Sequence, residues 1–326
     1  MRWVVRALLL FVFAIALGAG FVAYTLYFER ALPSADTNVV VQRGATTAEV
    51  ARQLESQGVI KSALSFQLMA RAKRVQTEIK AGEYRFPPHL TGAEVLERLT
   101  SGGAQVAVWV TIPEGFTARE IAQALADRQL GEERALADYF LQTQFTLPNG
   151  TLTPNLEGYL FPDTYLMPIA TTPAALAKIM TDQFSSVLPP DAADRAGRLG
   201  YTIPQIVTLA SLIEREAKAD DERRLMAGVY YNRLRLGMPL EVDATIEYTF
   251  AHHKNVITNA DLARDTPYNT YLHVGLPPTP IANPGRPSLQ AAFDPQPSSF
   301  LFYVYKGNGH HAFSRTLAEH NANVAR

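Results

Sequence analysis

The chain of 326 residues contains no cysteine. That excludes a disulfide framework, a thiolate metal site and a cysteine nucleophile, while leaving the compartment open. An excess of either charge is lacking too: 30 Lys and Arg stand against 31 Asp and Glu, for a formal net charge of −1. No overall field draws the chain to nucleic acid, and no nucleic-acid partner is expected. No stretch is low-complexity enough to require a disordered insert, and a hydrophobic share of 47% is that of a globular chain. Also missing are a G-x-S-x-G elbow, a P-loop and a dinucleotide fingerprint. The length suits one large or two ordinary domains.

What is present begins with an apolar run. From Ala7 to Phe28 there is no charged residue. At about 1.5 Å per helical residue the run spans about 33 Å, enough to cross a hydrocarbon core of about 30 Å. Arg2 and Arg6 precede it, which favours a cytoplasmic N-terminus and places everything after Glu29 outside. The rival is a cleavable signal peptide, but the run is long for one and Leu17-Gly18-Ala19 fits a cleavage site poorly. Residues 1–30 are therefore expected to be a cytoplasmic N-terminus and membrane anchor, and residues 31–38, with Pro33, a polar linker.

Val39-Val40-Val41 reads as a brief strand, followed by Gly44 and a helical pattern in Ala48, Val50, Ala51 and Leu54 that Thr46 or Thr47 can cap. The layout returns later. Gly115, Thr117, Glu120, Ile121, Ala122 and Leu125 match Gly44, Thr46, Glu49, Val50, Ala51 and Leu54. Two copies make a repeated strand-turn-helix unit and not a solenoid. Between them the pattern predicts helices over Ala63–Ala72 and Gly92–Leu99 and a strand over Gly82–Phe86, closed by Gly102-Gly103. Residues 39–103 thus resemble the LysM fold, which binds N-acetylglucosamine chains; a spacer that binds nothing fits the same pattern. From residue 104 to 326, helices are expected near Thr117–Arg128, Pro173–Val187, Pro204–Ala217 and Asp221–Leu236, then short strands alternating with Pro and Gly loops after Gly237. The class is α+β, with no βαβ alternation.

The segment Pro204–Ala217 carries the chemistry of most interest. Thr202 can cap it, Pro204 suits its first turn, and Ile206, Leu209, Ala210, Ile213 and Ala217 form an apolar face. Glu214 falls at the margin of that face, whereas Glu216 points elsewhere. Desolvation at an apolar margin would raise the pKa of Glu214 toward the working pH, as a general acid requires. The plainer alternative is a surface ion pair with Arg233 or with neighbours of Arg215.

The rest of the chain bears on that choice. Glu157-Gly158-Tyr159-Leu160-Phe161-Pro162, Tyr231-Asn232-Arg233-Leu234, Glu241-Val242-Asp243-Ala244-Thr245, Thr266-Pro267-Tyr268-Asn269-Thr270-Tyr271, Gly275-Leu276-Pro277-Pro278, Asn283-Pro284-Gly285 and His310-His311-Ala312-Phe313-Ser314 follow in order. Together with Ile213-Glu214-Arg215-Glu216-Ala217 they closely resemble the endolytic murein transglycosylases of the YceG-like family, from about Val39 to the C-terminus. In that family the first acidic position of the I-E-x-E-A block is catalytic, which here is Glu214. Ala244 stands where the family usually has proline, and Thr279 where glycine often follows the double proline.

The resemblance implies a membrane anchor, a LysM-like module and a catalytic domain. It implies a lyase that protonates the oxygen between N-acetylmuramic acid and N-acetylglucosamine, then takes the muramyl C6 proton as a 1,6-anhydro ring closes. No metal or cofactor is implied. The expected partners are peptidoglycan strands, the bacterial inner membrane and the penicillin-binding proteins of wall synthesis. An ordinary glycosidase would need a second carboxyl, for which Asp243 and Glu157 are candidates.

Residues expected at the substrate are Glu157, Asn232, Asp243, Thr245, Tyr248, Tyr268, Asn269 and Tyr271. Asn269, Tyr268 and Tyr271 combine polar groups with flat apolar faces suited to pyranose rings, though both tyrosines could be core residues. Asn232 either orients Glu214 or ties a loop. His252-His253 and His310-His311 lack the spacing of a helix-borne metal site and read as loop histidines. A third reading is a non-catalytic, anchored peptidoglycan-binding protein.

Overall fold

A computed structural model describes residues 2–27, 35–169, 171–250, 254 and 257–325. Residues 31–34 of the linker and both His252 and His253 lie outside the described residues. The chain divides into two units, one of residues 1–110 with 165–170, the other of 111–164 with 171–326.

The first unit opens with helix α1, Arg2–Tyr27. Its stretch Arg6–Tyr24, with a mean hydropathy of 2.4, is long and apolar enough to cross a membrane, and Leu8, Phe11, Phe13 and Phe21 stand exposed along it. Strand β1, Thr37–Val41, is followed by α2, Thr47–Ser56, and α3, Ala63–Ala72, then β2, Gly82–Phe86, α4, Gly92–Ser101, and β3, Gln105–Thr111. Strand β4, Thr164–Pro168, completes a sheet of order β1-β2-β3-β4. β1 and β2 pair antiparallel from Thr37 opposite Phe86 to Val41 opposite Gly82. Val39, Val41, Tyr84 and Phe86 thereby share one face, where they meet Val50, Leu54, Phe66, Leu96 and Leu99 in a closed core. Thr46 and Thr91 cap α2 and α4 through reciprocal bonds with Glu49 and Glu94.

The second unit holds α5, Ala118–Ala126, α6, Glu133–Gln142, α7, Pro173–Val187, α8, Ala192–Leu199, and α9, Ile203–Glu216. A 3₁₀ turn at Asp220–Glu222 leads into α10, Arg223–Leu236. Then come α11, Asp243–Glu247, α12, Asn259–Leu262, α13, Arg286–Phe293, β5, Phe302–Tyr305, β6, His311–Ser314, and α14, Leu317–Val324. The mixed α+β class matches expectation. The series of strands expected after Gly237 does not: among the described residues only β5 and β6 form there, paired antiparallel from Phe302 opposite Ser314. The dense prolines between Pro267 and Pro297 remove ladder donors, and the chain makes short helices and loops in their place.

Helix α9 is the axis of this unit. The Thr202 side chain accepts from Gln205 N while Gln205 reaches back to the Thr202 N–H, and Pro204 occupies the first turn, where its missing N–H costs nothing. Every residue from Ile206 to Ile213 is buried, so the helix is enclosed all round rather than along one stripe. α13 lies along it, with α8, α10 and α11 also in contact. At about 1.5–3 kcal/mol per buried aliphatic side chain, this enclosure fixes whatever the last turn of α9 presents.

Candidate active site

Glu214 sits on that last turn, with its side chain only 6% exposed. One oxygen, Oε2, accepts the backbone N–H of Gly285 at 2.9 Å. The other, Oε1, lies 3.4 Å from Nη1 of Arg223, the first residue of α10. Arg223 is itself buried; its Nε donates to Asp220 Oδ1 at 2.9 Å and its Nη1 also reaches Ser288 Oγ. The surroundings of Glu214 are thus mixed, not the purely apolar margin that spacing alone predicts. Its ionic partner is Arg223 and not Arg233, which is spent on Glu241 and the carbonyls of Pro239, Leu240 and Leu301.

Two loops wall the carboxyl. Gly115 N donates to Asn283 O and Asn283 N to Phe116 O, each at 2.9 Å, so the segment after β3 and the segment before α13 run side by side. The Asn283 side chain, fully buried, closes the lacing: Nδ2 donates to Phe116 O and Glu157 Oε1, and Oδ1 accepts from Leu160 N. Ser211 Oγ on α9 accepts from Ile281 N at 3.0 Å, which pins the second loop to the core helix. Gly115 has φ of +79°, a left-handed turn that favours glycine, and a Cβ there would stand 3.6 Å from Glu214 Cγ. Gly285 is needed for space. A Cβ on it would lie 2.0 Å from Oε1 of Glu114, so the Glu114 carboxylate rests against its Cα.

Glu114 escaped the sequence reading. The signal was there: in the two repeat copies Gly44 matches Gly115, but Arg43 precedes the first glycine and Glu114 the second. A reversed charge beside a matched turn marks a position released from the shared structural role. Partial burial, and the negative charge of Glu214 after it, push the Glu114 carboxyl up, against the opposing pull of Arg223.

Of the residues expected at the substrate, three are fully enclosed. Glu157 has no exposure; both its oxygens accept from Ala118 N at the start of α5, and it is also bonded to Asn283 and Tyr248. Burial pushes its carboxyl up to about 7 although the hydrogen bonds from Ala118 N and the Tyr248 hydroxyl oppose the rise. Thr245 is enclosed and bonded to Val242 O and Thr270 Oγ1. Asn269 is enclosed, donating to Leu262 O and Arg264 O and accepting from Tyr271 N and Leu272 N. These are groups that hold loops. Asn232 likewise ties Ser298 O and Phe300 O and accepts from Arg235, with no bond to Glu214.

The remaining four are closer to solvent. Tyr248 and Tyr268 are half-buried, their rings 5.0 Å apart, with hydroxyls bonded to Glu157 and Thr279. Asp243 is exposed and accepts from the Tyr271 hydroxyl at 2.6 Å. Glu216 points away from Glu214, as helical spacing predicts: Tyr303 donates to it, and burial followed by the charge of Asp243 raises its pKa. His311 is no free loop residue; its N–H and Nδ1 both meet the buried Glu222 carboxylate. The carboxyl beside Glu214 is therefore Glu114, and neither Glu157 nor Asp243.

A carboxyl fixed at the end of a core helix, faced by an arginine and walled by two laced loops, has the parts of an acid–base site. Residues 39–326 match the YceG-like family, and the chain belongs to it. It is 33% identical over 299 residues to the endolytic murein transglycosylase of Bacillus subtilis (strain 168), covering 87% of this chain and 82% of that protein. It is 30% identical over 351 residues to the endolytic murein transglycosylase of Streptococcus pneumoniae (strain D39), covering 94% of this chain and 63% of the relative. Among solved structures, a yceG-like protein from Listeria monocytogenes aligns with a TM-score of 0.63 at 27% identity, over 89% of this chain and 99% of that one.

Proposed function

We propose that the chain is an endolytic murein transglycosylase that cuts the β-1,4 bond between N-acetylmuramic acid and N-acetylglucosamine, with Glu214 serving as acid and then as base. The observation that carries this reading is the placement of Glu214: a nearly enclosed carboxyl on the rigid end of α9, with Arg223 and the Gly285 N–H ready to hold its negative charge once the proton has left. The glycosidic oxygen takes the proton as its bond to C1 breaks. The muramyl C6 oxygen then bonds to C1, and its proton returns to Glu214. No water is consumed, and the product ends in a 1,6-anhydro ring. Membership of the YceG-like family and the names of the relatives support the substrate class.

The substrate strands lie outside the cytoplasm in this reading, with α1 spanning the inner membrane and the penicillin-binding proteins of wall synthesis close by. A LysM-like, glycan-holding role for residues 39–103 is supported by the order β1, α2, α3, β2 and the antiparallel pairing of its two strands. The test of the activity is mass spectrometry of purified glycan after digestion. Wild type should produce anhydro-muramyl ends and Glu214→Gln should not; normal chain shortening by that variant would end the proposal.

A further inference from the structure

The reading of Glu214 as an acid leaves a question of charge. Arg223 is a single cation facing Glu214 from α10, and it also pairs with Asp220 on the preceding turn. Glu114 brings a third carboxyl to the same group, against the Cα of the glycine whose N–H binds Glu214. Arg215, the next residue on α9, adds no free charge here, since it donates to Gly115 O and pairs with Glu247 at 3.0 Å. Glu114, Glu214 and Asp220 against Arg223 would carry two uncompensated negative charges if all three carboxyls were ionised. Glu114 and Glu214 meet at one glycine, the first against its Cα and the second on its N–H, and the charge of Glu214 pushes the Glu114 carboxyl up.

We propose that Glu114 and Glu214 form one proton-sharing carboxyl pair, in which Glu114 is the positioning residue that keeps a proton beside Gly285 for Glu214 to deliver. The assignment rests on Glu214 being the proton-transfer residue. Three features support it besides the charge balance. Gly285 has no side chain where the Glu114 carboxylate lies, Gly115 adopts the left-handed turn that follows Glu114 directly, and the lacing through Asn283 holds both loops in register. Glu114 is itself exposed and half of the pair can exchange protons with solvent, whereas the Glu214 side chain is nearly enclosed. Through the reaction the pair gives one proton to the leaving oxygen as the C1–O bond breaks. It regains one from the C6 hydroxyl as the new C1–O bond forms, so the pair returns to its starting state.

The experiment measures the rate of anhydro-muramyl end formation against pH, using the detergent-solubilised full chain on purified glycan strands. Wild type is compared with Glu114→Gln, Glu114→Asp and Glu214→Gln, with thermal melting as the check on folding. Glu114→Gln should lower the rate at neutral pH by about 10²-fold. Removing the neighbouring negative charge should also move the alkaline limb of the profile down by about one pH unit. Glu114→Asp should recover part of the rate and keep the limb near its wild-type position. An unshifted limb in Glu114→Gln, or no recovery of rate in Glu114→Asp, would give Glu114 a merely structural role and overturn the pair. Reducing ends in place of anhydro ends would mean that water attacks C1, and would remove the underlying reading together with the pair. Full activity of Glu214→Gln would instead remove the underlying reading, whatever the Glu114 variants do.

Discussion

Gly285 serves Glu214 through its backbone and Glu114 through its missing side chain. Its N–H donates to Glu214 Oε2 at 2.9 Å, and a methyl group in place of its hydrogen would fall 2.0 Å from Glu114 Oε1. The carboxylate is the flexible end of an exposed side chain, so it would swing aside and the backbone would stay. Gly285→Ala is accordingly predicted to leave the melting temperature within a few degrees of wild type while lowering the rate of anhydro-end formation about tenfold. A wild-type rate would show that the position of Glu114 is immaterial.

Arg223 has the opposite balance of costs. It is buried and bonded to Glu214, Asp220 and Ser288, so Arg223→Met would leave the enclosed Glu214 carboxyl and the Ser288 hydroxyl without this partner. Leaving a buried polar group unsatisfied costs about 1–3 kcal/mol. The variant is predicted to lose that much stability in chemical denaturation and to lose activity with it. A stability within about 0.5 kcal/mol of wild type, the range of ordinary surface substitutions, would contradict the role assigned to this arginine.

Glu157 makes stability depend on pH. Its folded-state pKa of about 7 lies above the ordinary value of 4.5, because burial disfavours the carboxylate. Between those two values the folded chain holds a proton that the unfolded chain has released, so stability falls as pH rises through that window and levels off above it. Glu157→Gln removes the titration. The stability difference, variant minus wild type, is predicted to grow by at most about 3 kcal/mol across the window, measured by denaturation at a series of pH values. A constant difference would mean that Glu157 is ionised in both states.

Much of the framework was legible in local sequence chemistry. The strand at Gly82–Phe86 and the helices at Ala63–Ala72 and Pro173–Val187 appear at the residues the pattern predicts, because threonine caps, prolines and apolar spacing act over a few residues. The helix α13 that encloses α9 was missed: Arg286-Pro287-Ser288 looks like loop, and Pro287 is in fact a first-turn proline. The site was legible only in part. Glu214 was visible from its helix and its resemblance, whereas Gly285 and Glu114 come to it from segments far apart in the chain, and Arg223 from the start of the next helix, where nothing local marks it as a partner. Asn269 was singled out for its amide beside aromatic faces; in the fold it and Thr245 are enclosed, Asn269 bonded to backbone and Thr245 to Val242 O and Thr270 Oγ1, contacts that spacing along the chain does not show.

The apolar face of α1 gives a prediction of its own. With Leu8, Phe11, Phe13 and Phe21 exposed along a membrane-length stretch, the full chain should sediment with membranes and resist extraction by high salt or carbonate. Deleting residues 2–27 should release it to the soluble fraction. Release of the full chain by salt alone would contradict an anchor.

The chemistry itself is read most directly by cutting glycan strands in water enriched in oxygen-18 and weighing the new ends. Ring closure by the muramyl C6 oxygen takes no oxygen from solvent, so the account predicts unlabelled anhydro-muramyl ends. Ends carrying the heavy isotope would mean that water attacks C1, and the transfer assigned to Glu214 would be contradicted.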